Sequence, residues 1–242
     1  MQKENTYFYD YFVIEKISAD INGDNINEDL YLVGKKEELT DIVISNIKVI
    51  IKDNNNYYEI IPLINKGYNP HLFIGNFNND LTNDILISIE SGNTGLEIYY
   101  YIYSFIDNDK KVLFDFDLFN NKYKYDVIYK DNYIVDIISK FNDKKFSINV
   151  SNKNREYLNQ IYNPNKSLKR PLRGMISDII NIHPVVSEAF NGYDLYVSQR
   201  VVGYYNADTL GIIITPLRWF ENDFEIINNN QYLTLFGSED KK

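Results

Sequence analysis

The sequence predicts an all-β protein. The chain of 242 residues contains 22 Tyr and 14 Phe but 2 Met, 1 Trp and 6 Pro, and aromatic and β-branched residues favour strands. Ile47 and Val49 fall on one face of a predicted strand while Asn46 and Lys48 fall on the other, the period of two typical of a half-buried strand. Asn- and Asp-rich turns separate the apolar segments. The third observation is an internal repeat.

An acidic residue stands directly before, or at the start of, an apolar strand four times. These residues are Asp29, Asp84, Asp136 and Asp194, separated by 55, 52 and 58 positions. Each interval holds three to five candidate strands, which fits the four strands of a β-propeller blade. We therefore predict one domain spanning the chain, a small propeller of about four blades. Its units run roughly over 18–70, 71–122, 123–182 and 183–242, and strands from the two termini pair to close it.

The stretch 151–181 interrupts this period. It contains Pro164 and Pro171, and we expect a short helix over 155–161 followed by a loop. A basic cluster lies in the same stretch, but such a run is more often a solvated insertion than a binding site. We therefore interpret 151–181 as an insertion into the third unit.

Two loops place side-chain oxygens at positions 1, 3, 5 and 9 and then enter an apolar strand. The first begins at Asp20 and the second at Asn76. Ca²⁺ binds about six to eight oxygens, and alternate residues of a tight loop can direct oxygens to one point. The pattern predicts two calcium sites, the second weaker because Asn76 replaces an acid. The alternative is that these side chains only cap the turn.

The loops resemble those of the FG-GAP or VCBS repeat family, the β-propeller repeat of integrin α chains and of small bacterial proteins. That family's pattern is Gly-Asp-x-Asn-x-Asp-Gly-x-x-Asp-Leu, and here Asn25 and Leu81 stand in place of its second Gly. The resemblance implies that the seventh residue contributes its carbonyl oxygen. It leaves Glu28 and Asp29 as alternative ninth ligands. The implied calcium ligands are Asp20, Asn22, Asp24, Ile26, Glu28, Asp29, Asn76, Asn78, Asp80, Thr82 and Asp84.

A partner site is expected on the face opposite the calcium loops, where propellers often bind partners. A strand of about six residues leads there from each loop, and it ends at Glu90 in unit two and Arg200 in unit four. We predict a site in which tyrosines stack on a sugar or peptide. The alternative is that Arg200 pairs with a carboxylate and these loops merely close the blades. The predicted residues are Glu90, Ser91, Asn93, Arg200, Tyr204, Tyr205, Asn206 and Asp208.

Charge and composition exclude several classes. The net charge of −9 disfavours a nucleic-acid partner, and the absence of cysteine excludes disulfides and thiolate chemistry. No apolar run approaches the ~18 residues of a membrane span, and the first residues lack the pattern of a signal peptide. The location is left open between the cytoplasm and a spore or cell surface.

No pattern of catalytic residues is recognisable. The two histidines, His71 and His183, stand alone before strands, and no phosphate loop or nucleophile elbow is present. We therefore predict a non-catalytic, calcium-stabilised binding module for a protein or glycan. The alternatives are a hydrolase on the same scaffold and a structural coat protein.

Overall fold

The computed structural model describes residues 8–38 and 40–235. The protein is all-β and its sheets are antiparallel, as the composition predicts. It divides into two compact units. The first unit comprises the described residues up to Phe116 together with His183–Leu195 and Leu217–Glu225. The second unit comprises Asp117–Ile182, Tyr196–Pro216 and the described residues from Ile226 onward. The expectation of a single domain stays a prediction.

Two four-stranded sheets lie in the first unit, and in each of them the strands follow one another in chain order. The first sheet contains β1 (Phe12–Ala19), β2 (Glu28–Lys35), β3 (Ser45–Asp53) and β4 (Asn56–Ile60). The second contains β5 (Tyr68–Gly75), β6 (Asp84–Glu90), β7 (Ile98–Ser104) and β8 (Lys111–Asp115).

The same design is used in both sheets. Residues 20–27 connect β1 to β2, and residues 76–83 connect β5 to β6. Leu30 and Leu32 of β2 and Ile85 and Ile87 of β6 are fully buried, so the strand that follows each loop supplies core residues. The loop pattern in the sequence therefore marks two equivalent four-stranded sheets.

The remaining strands form a single eight-stranded sheet in the order β11-β10-β9-β12-β13-β14-β15, with β16 beside β14. They are β9 (Tyr125–Lys130), β10 (Ile134–Ser139), β11 (Lys145–Asn149), β12 (Arg173–Val186), β13 (Tyr193–Val202), β14 (Thr209–Phe220), β15 (Asp223–Ile226) and β16 (Tyr232–Thr234).

The prediction of four separate blades is wrong. The long strand β12 begins inside the stretch interpreted as an insertion, and its Arg173 and Gly174 pair with Ile128 and Val127 of β9. Because β12 lies between β9 and β13 in the strand order, it joins the predicted third and fourth units into one sheet. The N-terminal segment predicted to pair with the C-terminal strands is 7–17. Among the described residues β1 pairs with β2 and β16 pairs with β14, so this closure is not formed there, and Tyr7 lies outside the described residues.

Two α-helices complete the second unit. Helix α1 (Phe116–Lys122) follows β8 and was not predicted. Helix α2 (Arg155–Ile161) has the predicted bounds. It begins after Asn154, whose side chain accepts the Tyr157 N–H at 2.8 Å as an N-cap, and its Tyr157 and Ile161 pack into the core against the sheet. No helix within the described ranges is long and apolar enough to cross a membrane.

Candidate functional site

The first loop (residues 20–28) and the second loop (residues 76–84) fold alike, beginning at position 1. In the first loop Asp20 accepts the Gly23 N–H at 2.8 Å through Oδ1 and the Asn25 N–H at 2.9 Å through Oδ2. In the second loop Asn76 Oδ1 accepts the Asn79 N–H at 2.9 Å. The first residue of each loop thus caps the turn that follows it.

Positions 3 and 5 continue the equivalence, because each side-chain oxygen accepts the N–H two residues further on. In the first loop the Asp24 N–H donates to Asn22 Oδ1 at 3.0 Å, and the Ile26 N–H donates to Asp24 Oδ1 at 2.8 Å. In the second loop the Asp80 N–H donates to Asn78 Oδ1 at 3.2 Å, and the Thr82 N–H donates to Asp80 Oδ1 at 2.9 Å. These are Asx turns, which polar side chains form without any metal.

Position 9 is a buried carboxylate in both loops. Glu28 Oε2 accepts the Ile21 N–H at 3.0 Å, and Asp84 Oδ2 accepts the Phe77 N–H at 2.8 Å. Glu28 and Asp84 are each only 1% exposed. Glu28, and not Asp29, is therefore the structural equivalent of Asp84.

Asp29 has a different role on the outer side of β2. Its Oδ2 pairs with Lys16 Nζ at 3.0 Å and accepts the Tyr31 hydroxyl at 3.3 Å. The hydrogen bond from Lys16 lowers the pKa of Asp29. A carboxylate already paired with an ammonium group is a poor candidate for a second cation.

The second oxygen of each position-9 carboxylate is the unusual feature of the loops. Glu28 Oε1 and Asp84 Oδ1 are buried without a well-formed hydrogen bond in the described part of the chain, although Ser104 lies near enough to lower the pKa of Asp84 slightly. Burial, together with the negative charge of Asp80, raises the pKa of Asp84 to about 7. Burial also raises the pKa of Glu28.

The two remaining repeat anchors have cationic partners instead. Asp136 Oδ2 pairs with Lys145 at 2.9 Å, and Asp194 forms two hydrogen bonds with Arg218 at 2.9 and 2.6 Å. The basic side chain balances the buried carboxylate in each case.

Most loop oxygens are thus occupied by the loop's own backbone. Among residues 8–38 and 40–235 no group of three or more His, Cys, Asp or Glu is arranged to hold a metal ion. Calcium binding through the predicted set, including the carbonyls of Ile26 and Thr82, stays a prediction.

Three of the predicted partner residues lie in the first unit and form a local network. Both Glu90 oxygens accept the Asn69 amide at 3.2 Å. Ser91 Oγ accepts the Asn93 N–H at 3.1 Å, and the Asn93 side chain donates to Glu97 at 3.2 Å. These bonds shape the connection from β6 to β7.

Four other predicted residues belong to the turn between β13 and β14 in the second unit. Asp208, which is buried, accepts the Tyr157 hydroxyl at 2.6 Å, Lys153 Nζ at 2.8 Å and the Tyr204 N–H at 2.9 Å. Burial raises the pKa of Tyr157, and the hydrogen bond from its hydroxyl to Asp208 is the second largest cause of this increase. The rings of Tyr204 and Tyr205 meet edge to face at 6.3 Å. Asp208 therefore fixes the turn onto α2.

Within residues 8–38 and 40–235 Arg200 does not form the carboxylate pair considered above. Its Nη1 donates to the Asn206 carbonyl at 3.4 Å and to Thr209 Oγ1 at 3.1 Å, while Nε and Nη2 are buried without a hydrogen-bond partner in the described structure. The predicted partner residues are therefore divided between the two units, and a single site formed by all eight stays a prediction.

The second unit contains a pocket that the sequence did not predict, which we call the polar pocket. It is an open cavity of about 320 Å³ between α1, the start of β9, and strands β12 and β13. Its lining residues are Asp117, Asn120, Asn121, Tyr123, Lys124, Tyr125, Lys140, Gly174, Met175, Ile176, Ser177, Asp178 and Gln199. Most of these side chains are polar.

Two amides in the polar pocket have unused hydrogen-bonding capacity. Gln199 Nε2 donates to the Ser177 carbonyl at 3.0 Å, and because that carbonyl can only accept, the orientation of the amide is fixed. The remaining Gln199 Oε1 is buried and has no partner among the described residues. Asn120 Oδ1 and Nδ2 are likewise buried and have no hydrogen-bond partner among the described residues.

The wall next to these amides is held in place. The Tyr125 hydroxyl accepts a hydrogen bond from the Gln231 amide, which also donates to Thr215 Oγ1 at 3.1 Å. Burial raises the pKa of Tyr125, so its hydroxyl is neutral at physiological pH. On the rim, Lys140 pairs with Asp126 at 3.2 Å.

One sequence signal could have identified the pocket. Leu195, Val197, Gln199 and Val201 alternate along β13, and all four are buried, so a glutamine occupies a position where the pattern demands an apolar residue. Asn120 gave no such signal, because the segment Asn120–Lys122 is one of the Asn-rich stretches that the sequence predicts to be turns.

These features define an all-β protein with two equivalent loops in one unit and a polar pocket in the other. A family model described as the YybI C-terminal domain matches residues 123–232. The chain is 32% identical over 229 residues to "Uncharacterized protein YybI" of Bacillus subtilis (strain 168), an alignment covering 94% of this chain and 86% of that relative. The chain belongs to the YybI family. No solved structure matches it.

The resemblance to the FG-GAP or VCBS family is therefore wrong, and so is the description as an integrin-like β-propeller that it implied. The loop pattern misled because alternating Asp and Asn residues serve equally well as turn caps. What the pattern identified correctly is the repeat of two four-stranded sheets.

Proposed function

We propose that the protein is a non-catalytic binding protein whose ligand, a small polar molecule, enters the polar pocket. The observation that carries this proposal is that two residues lining one cavity, Asn120 and Gln199, have buried side-chain amide atoms without a partner in the described structure: Asn120 Oδ1, Asn120 Nδ2 and Gln199 Oε1.

Energetics explains why these atoms point to a ligand. Burying a polar group without a hydrogen bond destabilises a fold by about 1–3 kcal/mol, and buried amides are nearly always satisfied. An apolar side chain of similar size at position 120 or 199 would avoid this penalty. These atoms have almost no exposed surface, so a ligand in the cavity pairs with them when the amide side chains turn towards it, and this pairing gives the amides a use that stability does not.

The construction of the pocket supports the same conclusion. Its walls come from a helix and three strands, and rigid elements hold binding groups more accurately than loops do. The cavity volume lies at the lower end of the range of about 300–1,000 Å³ found for small-molecule sites. The ligand is accordingly small, or is one unit of a longer chain.

The test is an NMR titration of the full chain labelled with ¹⁵N. The probes are glucose, N-acetylglucosamine, glutamate, lysine and inorganic phosphate, added separately. We expect at least one probe to shift the side-chain amide signals of Asn120 and Gln199 in a saturable manner.

The control observes the Asn159 side-chain amide, which lies on the exposed face of α2 outside the pocket. Its signal should stay in place throughout. If no probe shifts Asn120 or Gln199, or if Asn159 shifts equally, the polar pocket is not a binding site and the proposal fails.

A further inference from the structure

We infer that a second cavity of the second unit binds an organic anion with an apolar body and a carboxylate or phosphate head. The cavity, which we call the basic cleft, is open, has a volume of about 530 Å³ and is lined by residues 128–131 and 168–173. It shares no lining residue with the polar pocket. The inference therefore stands whether or not the polar pocket binds a ligand.

The segment 166–173, which carries the basic cluster of the sequence, is held against β9 and α2 by backbone hydrogen bonds. The Tyr129 N–H donates to the Leu172 carbonyl at 3.1 Å, and the Lys169 N–H donates to the Ile161 carbonyl at 3.0 Å. The cations of this segment therefore stand on a fixed backbone. Groups that are already in place reduce the entropy lost on binding.

The unpaired charges of the basic cleft have a positive sum. Three cationic side chains of the lining form no ion pair among residues 8–38 and 40–235: Lys130, Lys169 and Arg170. The one carboxylate of the lining, Asp131, forms none there either. Three positive groups against one negative group leave a formal charge of +2. Such a site attracts an anion and repels a cation, whereas a zwitterion, with no net charge, gains less.

The carboxylates next to the cleft do not cancel this charge. Asp126 pairs with Arg173 at 3.0 Å and with Lys140 at 3.2 Å, and for this reason Arg173 is left out of the balance above. Asp136 pairs with Lys145 at 2.9 Å. Each of these two carboxylates thus has a cation of its own.

The remaining lining is apolar. Ile128, Leu168 and Leu172 are half-buried and line the cleft, and the two leucines also pack against the core of the unit. Ile128 lies opposite Arg173 in the pairing of β9 with β12, so an apolar and a cationic side chain share one face of the sheet. Covering apolar surface favours binding, and a small inorganic anion cannot cover it. An anion with an apolar body can.

Arg170 determines the head group. Its guanidinium forms no hydrogen bond within the described ranges, so all five of its N–H donors are available. A guanidinium donates two parallel hydrogen bonds to a carboxylate or a phosphate. The cavity volume of about 530 Å³ lies within the range of about 300–1,000 Å³ found for small-molecule sites.

The experiment is an NMR titration of the full ¹⁵N-labelled chain at low ionic strength, with every probe below the concentration at which it forms micelles. Octanoate and octyl phosphate carry an apolar body and an anionic head. Octylammonium has the same body and the opposite charge, while acetate and inorganic phosphate are heads without the body. We expect the first two probes to shift the backbone amides of Lys169 and Arg170 at the lowest concentrations, and the Asn120 side-chain amide of the polar pocket to stay in place.

The variants are Arg170→Gln and the matched control Arg155→Gln. Both arginines are exposed, and Arg155, at the start of α2, does not line the cleft. We expect Arg170→Gln to weaken octanoate binding about fivefold, equivalent to about 1 kcal/mol, the upper end for an exposed charge pair. Arg155→Gln should leave it unchanged, and added salt should weaken it.

Three results would overturn the inference. If neither octanoate nor octyl phosphate shifts the Lys169 and Arg170 amides, the cleft does not bind such anions. If octylammonium binds as tightly as octanoate, or acetate and phosphate bind as tightly as the two octyl anions, the charge or the apolar lining does not select the ligand. Equal weakening by Arg170→Gln and Arg155→Gln would assign the binding to general surface charge.

Discussion

The two loops of the first unit and the polar pocket of the second use the same residue types in opposite ways. In the loops, Asp and Asn side chains accept backbone N–H groups within a few residues of themselves, so their polarity serves the fold. In the pocket, Asn120 and Gln199 keep buried atoms without partners among the described residues, so the polarity of these atoms does not serve the fold.

This contrast separates a conspicuous motif from a functional one. The loops have a recognisable pattern because local turn geometry imposes fixed spacings on the side chains that cap it. The pocket has no pattern because its residues come from α1, β9, β12 and β13, which lie far apart in the chain. The loops also keep one unpaired buried oxygen each, Glu28 Oε1 and Asp84 Oδ1, so the difference between the two regions lies in the capping bonds and not in the unpaired atoms.

The largest predicted effect concerns Asp84, whose pKa burial raises to about 7 in the folded chain. A carboxylate with a raised folded pKa binds its proton more tightly in the folded state, so the contribution of Asp84 to stability is largest at low pH and falls as the pH rises from about 4 to about 7. At about 1.4 kcal/mol per pKa unit, the change attributable to Asp84 is about 4 kcal/mol. Urea unfolding in chelator at several pH values measures it.

Asp84→Asn supplies the control, because the amide keeps an acceptor for the Phe77 N–H and does not titrate. The unfolding free energy of the native chain minus that of this variant should fall as the pH rises from about 4 to about 7. A difference that is constant from pH 4 to 8 would show that Asp84 ionises normally.

Calcium alters this experiment in a defined way. If the loops bind Ca²⁺, millimolar Ca²⁺ stabilises the folded chain by mass action and weakens the pH dependence by favouring the ionised Asp84. Melting temperatures that are identical in Ca²⁺ and in chelator would leave the loops with the capping role alone.

The next prediction compares Glu28 with its neighbour Asp29. Glu28→Ala removes the acceptor of the buried Ile21 N–H, so we expect a loss of about 1–3 kcal/mol in the free energy of unfolding. Asp29→Ala removes an exposed ion pair with Lys16, and such pairs contribute little. Equal losses in urea unfolding would contradict the assignment of Glu28 as the equivalent of Asp84.

Local patterns in the sequence predicted a large part of the fold. The helix at 155–161 has its expected bounds because its cap, Asn154, lies beside it. Most strands were located by their apolar runs between Asn- and Asp-rich turns. The arrangement of the later strands was not predicted, because the contact of Arg173 with Ile128 joins positions 45 residues apart and nothing local encodes it.

The candidate site was less predictable than the fold. Equivalent polar residues at loop positions 1, 3 and 5 could be identified from spacing, but their hydrogen bonds to the backbone could not. The partner site combined Glu90 with Arg200 through an assumed propeller, and it depended on a symmetry that the eight-stranded sheet does not have. Gln199 was the one pocket residue with a readable signal.

The pocket predicts an unusual response to an apolar substitution. Asn120→Leu replaces two buried, unpaired polar atoms with a side chain of similar size, an exchange that is nearly neutral or stabilising. We expect a gain of up to about 1 kcal/mol, a rise in melting temperature of about 2–4 °C, together with loss of ligand binding. A destabilised variant would show that Asn120 has a structural role instead.

The smallest effect distinguishes the two loops from each other. Gly23 and Asn25 occupy left-handed backbone conformations in the first loop, and Asn79 and Leu81 occupy them in the second, Leu81 at φ 70°. Leucine is strained there whereas glycine is not, and the Leu81 side chain is exposed, so Leu81→Gly loses little packing. We expect a gain of about 0.5–1 kcal/mol in unfolding free energy. Ile26→Gly, at an exposed position without a positive φ, should bring none, and a gain there as large as at Leu81 would remove the backbone explanation.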